Sequence, residues 1–305
     1  MRSADDRPAG ARPFLKWAGG KARLAPAIVA AAPETFLRYH EPFLGGGAVF
    51  FAMAAARPGL RATLSDSNAE LINVHRAVRD HPDALIAALR PIAEAYRALD
   101  TSGRRDFYYA QRACEPPDPV ARAARLIFLN KTGYNGLYRV NRSGKFNVPH
   151  GRYTEPRILD EAALRAASAA LQCAELRHED FAAACDRARP GDLVYLDPPY
   201  QPLSQTSSFT SYTREAFGVD EQRRLRDVFD GLTRRGVAAV LSNSDHPFIH
   251  ELYGGRGYAI EHVRMSRAIN SKGDGRASIE ELLISNAGCA AVVDALTRLK
   301  TFATS

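Results

Sequence analysis

Apolar residues fall along the chain in two rhythms. Short unbroken runs at residues 36–39, 62–64, 193–196 and 237–241 each end in polar or turn-forming residues, as strands buried on both faces do. Between them, at 83–99, 160–171 and 221–233, apolar positions recur every three or four residues, the spacing of helices with one buried face. Strands alternating with helices predict an α/β fold with a doubly wound sheet. Residues 258–265 and 279–284 predict two further strands, paired as an antiparallel hairpin at one edge. The alternation breaks over residues 79–157, where helical patterns give way to a Gly- and Asn-rich segment, 130–151, with neither period. An inserted domain at 79–157 is therefore expected. A discontinuous domain of 12–78 and 158–286 would surround it, with 1–11 and 287–305 as frayed or weakly docked ends.

Composition narrows the class. A chain of 305 residues, 46% of them hydrophobic, is long enough to bury a core. It has no apolar run of bilayer length, and its first 13 residues are polar, so no membrane association and a cytoplasmic location are expected. Cys114, Cys173, Cys185 and Cys289 form no C-x-x-C pair and are read as reduced, structural thiols; His75, His178 and His246 show no ligand spacing. No metal is expected. The net charge of +7 suits a polyanionic partner, with basic residues at 122–125 and 139–145, but Arg-rich chains of many kinds share that property.

Two motifs carry chemistry. Glu41-Pro-Phe-Leu-Gly-Gly-Gly-Ala48 follows a strand and precedes a helical run, where open α/β sheets bind nucleotide-like ligands and glycine permits close backbone approach. Phe43, Gly45 and Gly47 are its candidate contacts. Asp66, at the end of the next strand, is placed to accept hydrogen bonds from ribose hydroxyls, which fits a dinucleotide as well as S-adenosylmethionine. Asp197-Pro-Pro-Tyr200 follows the apolar strand at 193–196. The prolines stiffen the loop so that carbonyls project beyond the strand end. An amino group conjugated to an aromatic ring is a poor nucleophile; the Asp197 carboxylate and the Pro198 carbonyl can orient its two hydrogens and free its lone pair. Tyr200 offers a flat face to a base, which must be flipped out of a duplex to reach such a loop.

These motifs, in this order, resemble the Dam-type, or D12 class, adenine-specific DNA methyltransferases from Phe14 to about Ser285. Further matching segments are Phe14-Leu-Lys-Trp-Ala-Gly-Gly-Lys21, Ser65-Asp-Ser-Asn68, Phe128-Leu-Asn-Lys-Thr-Gly-Tyr-Asn-Gly-Leu-Tyr-Arg139, Gly144-Lys-Phe-Asn-Val-Pro149 and Arg267-Ala-Ile-Asn270. The resemblance implies a Rossmann-like methyltransferase sheet with a helical and hairpin target-recognition domain inserted. It implies S-adenosylmethionine as cofactor and S-adenosylhomocysteine as product, with Trp17, Lys21, Asp66, Asp180, Phe181 and Asp197 completing the cofactor pocket. It also implies a double-stranded DNA substrate, with GATC as the expected site. Tyr134 would wedge beside the flipped adenine and Arg139 would read a guanine. Lys16, Asn135, Leu137, Pro149 and Tyr153 would lie along the same groove, and Arg267, Asn270 and Lys272 would grip phosphates. A nucleoid-associated bacterial monomer, paired or not with a restriction endonuclease, is the expected setting. Two alternatives stay open: a methyltransferase of another planar amine or amide, such as an RNA base or a glutamine side chain, and a DNA-binding relative without turnover. The inserted hairpin weighs against the first. The intact Asp197, Tyr200, Lys21 and Asp66 weigh against the second.

Overall fold

The computed structural model describes residues 10–200, 217–265 and 279–286. They form a mixed α/β, Rossmann-like fold with ten α-helices and seven β-strands among the described residues. Arg267, Asn270, Lys272 and Cys289 lie outside them. The chain divides into two compact units: one takes residues up to 20, 45–59 and 68–178, and the other takes 21–44, 60–67 and the chain from 179 on.

The second unit holds six strands: β1 (Tyr39–Glu41), β2 (Ala62–Asp66), β4 (Leu193–Leu196), β5 (Ala238–Ser244), β6 (Ala259–Met265) and β7 (Ile279–Ser285). They lie in the order β2-β1-β4-β5-β7-β6. β1, β2, β4 and β5 run parallel, with Leu193 opposite both Tyr39 and Ala238. β7 is antiparallel to β5 and to β6, so the expected hairpin is present and β7 is its inner strand. Every residue of β4 is buried, as a strand covered on both faces requires. Packed against these strands are α8 (Phe181–Asp186), α9 (Val219–Arg234) and α10 (Pro247–Tyr253), and the unit also contains α1 (Ala25–Ala31). Leu225, Phe229 and Leu232, on one stripe of α9, share a core with Val194, Leu196, Leu241, Leu282 and Ile284.

Two strand boundaries differ from the sequence reading. β1 begins at Tyr39, not at 36: Leu37 is exposed, and the strand instead includes the buried polar residues His40 and Glu41. Both have partners, His40 with Asp192 at 3.1 Å and Glu41 with the Tyr39 hydroxyl at 2.7 Å, so neither buried side chain lacks a hydrogen bond. β5 continues to Ser244, so Ser242 and Asn243 are strand residues and do not follow the strand.

The first unit contains α2 (Ala48–Ala56), α3 (Ala69–Asp80), α4 (Pro82–Ala98), α5 (Thr101–Ala113), α6 (Pro119–Thr132), α7 (Glu161–Leu171) and β3 (Ala174–His178). Asn68, Asp100 and Asp118 cap α3, α5 and α6 by accepting from backbone N–H groups of the first turn. α6 reaches Thr132, so the start of the segment expected to be loop is helix; Asn130 and Thr132 are buried and hydrogen-bonded there. Residues 133–151 then form an irregular hairpin with two isolated antiparallel bridges, Gly133 to His150 and Val140 to Phe146. Its tip is held by the Asn141 side chain, which accepts from the N–H groups of Ser143 and Lys145 at 3.0 Å each. Cys114, Cys173 and Cys185 are free thiols, but only Cys185 is buried, so a structural role fits it alone; burial pushes that thiol up to about 12.

Candidate active site

At the carboxyl end of β4 the chain turns into Asp197-Pro-Pro-Tyr200, beside the end of β1, where an open sheet of this order holds its ligand. The Asp197 carboxylate is held at one oxygen: Oδ1 lies 3.2 Å from the Lys21 ammonium and accepts from the Ser242 hydroxyl at 3.0 Å. Among the described residues no partner approaches Oδ2. Burial raises the Asp197 pKa to about 6, while Lys21 and Ser242 pull it down and Glu281 adds to the rise. Lys21 is 5% exposed; its ammonium also lies 3.7 Å from Glu281 and sits 4.4 Å from the centre of the Tyr200 ring. The Tyr200 hydroxyl donates to Glu281 at 2.7 Å, and burial with the two nearby carboxylates keeps it neutral. One Tyr200 face is thus taken by a cation.

A buried polar chain supports this loop. Ser242 bonds the Tyr195 hydroxyl at 2.8 Å, fixing the hydroxyl that meets Asp197. Gln222, fully buried on α9, donates to the Pro199 carbonyl at 3.1 Å and accepts from Asn243 at 3.1 Å. These hydrogen bonds tie the loop to β5 and α9.

An aromatic patch lies in the same unit. Phe43 stacks on Phe181 with centroids 5.2 Å apart, and Phe217 packs edge-on against Phe43 at 5.7 Å. Asp180 caps α8 through Ala182 N–H at 2.9 Å and pairs with Arg224, whose guanidinium lies 4.5 Å from the Phe181 ring centre. Asp66 ends β2, and its carbonyl accepts from Glu179 N–H at 3.2 Å, bringing the end of β2 beside the start of α8.

In the first unit Trp17 lies over the glycine loop. Gly45 has φ +50°, and a Cβ there would meet the Trp17 ring at 2.9 Å; Gly47, at φ +72°, caps α2. Trp17 also stacks on Tyr138, with centroids 5.6 Å apart. Asn130 ties Lys16 to the hairpin: its amide accepts from Lys16 N–H at 2.8 Å and donates to the carbonyls of Lys16 and Gly136 at 2.7 and 3.0 Å. Asn135 (φ 53°) and Gly136 (φ +62°) both take positive φ, as Asn-Gly pairs do in tight hairpin turns. A Cβ at Gly136 would sit 2.5 Å from Lys16, whose ammonium lies 3.9 Å from the Tyr153 ring centre. Tyr134 projects half-exposed from that turn, with Asn135 and Pro149 also exposed and Leu137 half-buried. Arg139 is anchored by Asn147, donating to its side chain at 2.7 Å and its carbonyl at 3.2 Å.

The histidines divide. His75 is buried and held below the usual range, at about 4, by desolvation. His246 caps α10 by accepting from Phe248 N–H at 3.1 Å. Asp245 meets His250 at 2.7 Å and His262 at 3.3 Å, and their donor atoms lie within 4.8 Å of one another. These three residues could together ligate a metal ion, although the two imidazoles already meet both carboxylate oxygens of Asp245.

The family model for D12 class N6 adenine-specific DNA methyltransferases matches residues 17–269. The chain belongs to this family. It is 42% identical over 287 residues to the type II methyltransferase M.MjaIII of Methanocaldococcus jannaschii, covering 90% of this chain and 99% of that one. Against the type II methyltransferase M1.LlaDCHI of Lactococcus lactis subsp. cremoris it is 40% identical, covering 91% and 96%. The DNA adenine methylase of Escherichia coli K12 is 36% identical over 279 residues, covering 89% and 94%. The chain is accordingly an adenine-specific DNA methyltransferase, acting on DNA. Among the described residues no helix is long and apolar enough to cross a membrane.

For an enzyme of this family the structure adds residues that the sequence reading missed. Glu281, Gln222 and Phe217 carry no motif and lie apart from the Asp197 loop in the chain, while Tyr195 sits in β4 just before that loop, inside an apolar run that hid its polar role. Only the period of α9 hinted at one of them, since Gln222 falls on its apolar stripe where a hydrophobic residue is expected.

Proposed function

We propose that this methyltransferase uses S-adenosylmethionine to methylate N6 of an adenine flipped out of duplex DNA, within GATC, and that Asp197, Pro198 and Tyr200 hold the reacting amine. The observation that carries the reading is the state of Asp197. One of its oxygens is fixed by Lys21 and Ser242 and, among the described residues, the other meets nothing. A carboxylate so held accepts one amino hydrogen and the Pro198 carbonyl accepts the other, steering the lone pair out of conjugation. Tyr200 then stacks on the base with the face opposite Lys21. These contacts gain most as the nitrogen pyramidalises, which is where stabilisation accelerates the step.

The chain suits the cofactor. Phe43, Phe181 and Phe217 give a flat apolar surface for an adenine ring, Asp66 gives a carboxylate for the ribose, and Asp180, as the cap of α8, positions Phe181. At Gly45 and Gly47 the backbone takes positive φ, and a side chain at Gly45 would strike Trp17. Bound S-adenosylmethionine supplies an activated methyl group on sulfur.

Residues 79–157 serve as the target-recognition domain in this reading. Tyr134 is the wedge, Arg139 the reader of guanine, and Lys16, Asn135, Leu137, Pro149 and Tyr153 line the groove. A guanidinium has five N–H donors, and Asn147 takes two, so three remain to grip a base edge in a fixed plane. The enzyme acts as a monomer, with or without a cognate endonuclease. Single-molecule sequencing of DNA modified by the purified protein tests the site: methyladenine at GATC alone is expected, and a different consensus overturns the GATC assignment.

A further inference from the structure

The pairing of Tyr200 with a strand 81 residues away has no counterpart in the sequence motifs. Glu281 lies on β7, the antiparallel strand beside β5, and its side chain is only partly exposed. One carboxylate oxygen, Oε2, receives the Tyr200 hydroxyl at 2.7 Å and faces the Lys21 ammonium at 3.7 Å. The same ammonium faces Asp197 at 3.2 Å and the Tyr200 ring at 4.4 Å. A buried lysine is thus shared between two carboxylates, and the aromatic ring between them is held at its edge by one and at its face by the cation.

We propose that Glu281 is a positioning residue of the methyl-transfer site, fixing the plane of Tyr200 and dividing the charge of Lys21 so that Asp197 keeps an acceptor oxygen for the amine. The inference rests on the reading of Asp197 and Tyr200 as the amine-holding pair. With Glu281 neutral, Lys21 would turn its whole charge on Asp197 and tighten that pair. With Glu281 truncated, the Tyr200 hydroxyl would lose its acceptor and the ring its orientation.

The groups facing Asp197 are Lys21, Ser242 on β5, Tyr39 on β1, Tyr195 on β4, Tyr200, and Glu281 on β7, with Glu41 bonded to the Tyr39 hydroxyl. The tyrosines are all held neutral by burial, so Lys21 and the acids set its titration. Glu281 raises the Asp197 pKa and Lys21 lowers it. The acid limb of kcat/KM reports the free enzyme, in which Asp197 must be ionised to accept a hydrogen.

The test measures pH profiles of methyl transfer for Glu281→Gln, Glu281→Ala and Asp197→Ala on one duplex. Glu281→Gln should move the acid limb to lower pH, because a like charge beside Asp197 is gone. Glu281→Ala should lower kcat on the plateau about tenfold with duplex affinity unchanged, and Gln, which keeps an acceptor for Tyr200, should recover most of that loss. An acid limb that stays in place in the Gln variant overturns the proposal, including the case in which the Ala variant fails to fold. Equal loss of kcat in both variants with an unmoved limb overturns it too, as a purely structural effect. If Asp197→Ala is inactive while the limb stays fixed, Glu281 alone is misassigned; retained turnover in Asp197→Ala overturns the reading of the whole site.

Discussion

Asp197 shows how single residues trade stability for chemistry. Its pKa of about 6 lies above the ordinary 3.8, so between those values the folded state binds more protons than the unfolded one. Stability from this group therefore rises as pH falls through 6 towards 4, and the ionised carboxylate at pH 8 costs on the order of 3 kcal/mol. Asp197→Asn should unfold at higher urea than the parent at pH 8, and the gap should close at pH 4; a constant gap would mean that the carboxylate is not strained by burial. Gly45 makes the opposite case. Its φ of +50° and the Trp17 ring 2.9 Å from a virtual Cβ leave no room for a side chain. Gly45→Ala should cost about 1–3 kcal/mol in denaturant titration and weaken S-adenosylmethionine binding; calorimetry showing parental affinity would remove the glycine loop from the pocket. Both residues were legible in the sequence, because a motif at a strand end exposes its own chemistry. Glu281 was not: it reaches Tyr200 only through the pairing of β7 with β5, which no local pattern encodes.

Elements were read best where burial and propensity agree. β4, α7 and α9 follow their hydrophobic periods closely, since each buries a complete face or stripe. The errors fall where polar residues are buried with partners. His40 and Glu41 in β1, and Ser242, Asn243 and Ser244 in β5, look like strand ends by type, yet hydrogen bonds satisfy them in the sheet, those of His40, Ser242 and Asn243 reaching partners distant in the chain. Asn130, called loop by its Gly- and Asn-rich surroundings, is held in α6 by its bonds to Lys16 and Gly136. The hairpin's function follows from the kind of contact it offers. Arg139, held by Asn147, should discriminate one base pair by about 1–3 kcal/mol, whereas a phosphate contact weakens all sequences alike. Arg139→Ala should methylate duplexes altered at that one pair with a smaller penalty than the parent shows. A common slowing across a panel of single-pair changes would make Arg139 a phosphate or structural residue.

At the scale of the whole molecule, family and fold were legible because several motifs keep one order over residues 17–269, and no single motif had to carry the assignment. The division into compact units was less so. The unit holding the hairpin also takes in α2, α3, α7 and β3, whose packing depends on contacts that hydrophobic periodicity does not report. The net charge of +7 fits a DNA-acting enzyme but did not identify one. The central claim, that the Asp197 loop methylates adenine N6 in duplex DNA, meets its most direct test in one measurement. Purified parent and Asp197→Ala proteins are each incubated with methyl-labelled S-adenosylmethionine and duplex DNA, and the digested nucleosides are separated by chromatography. Label is expected in N6-methyldeoxyadenosine for the parent and nowhere for Asp197→Ala, with the variant folded and binding the duplex. Label in another nucleoside, or near-parental labelling by the variant, would contradict it.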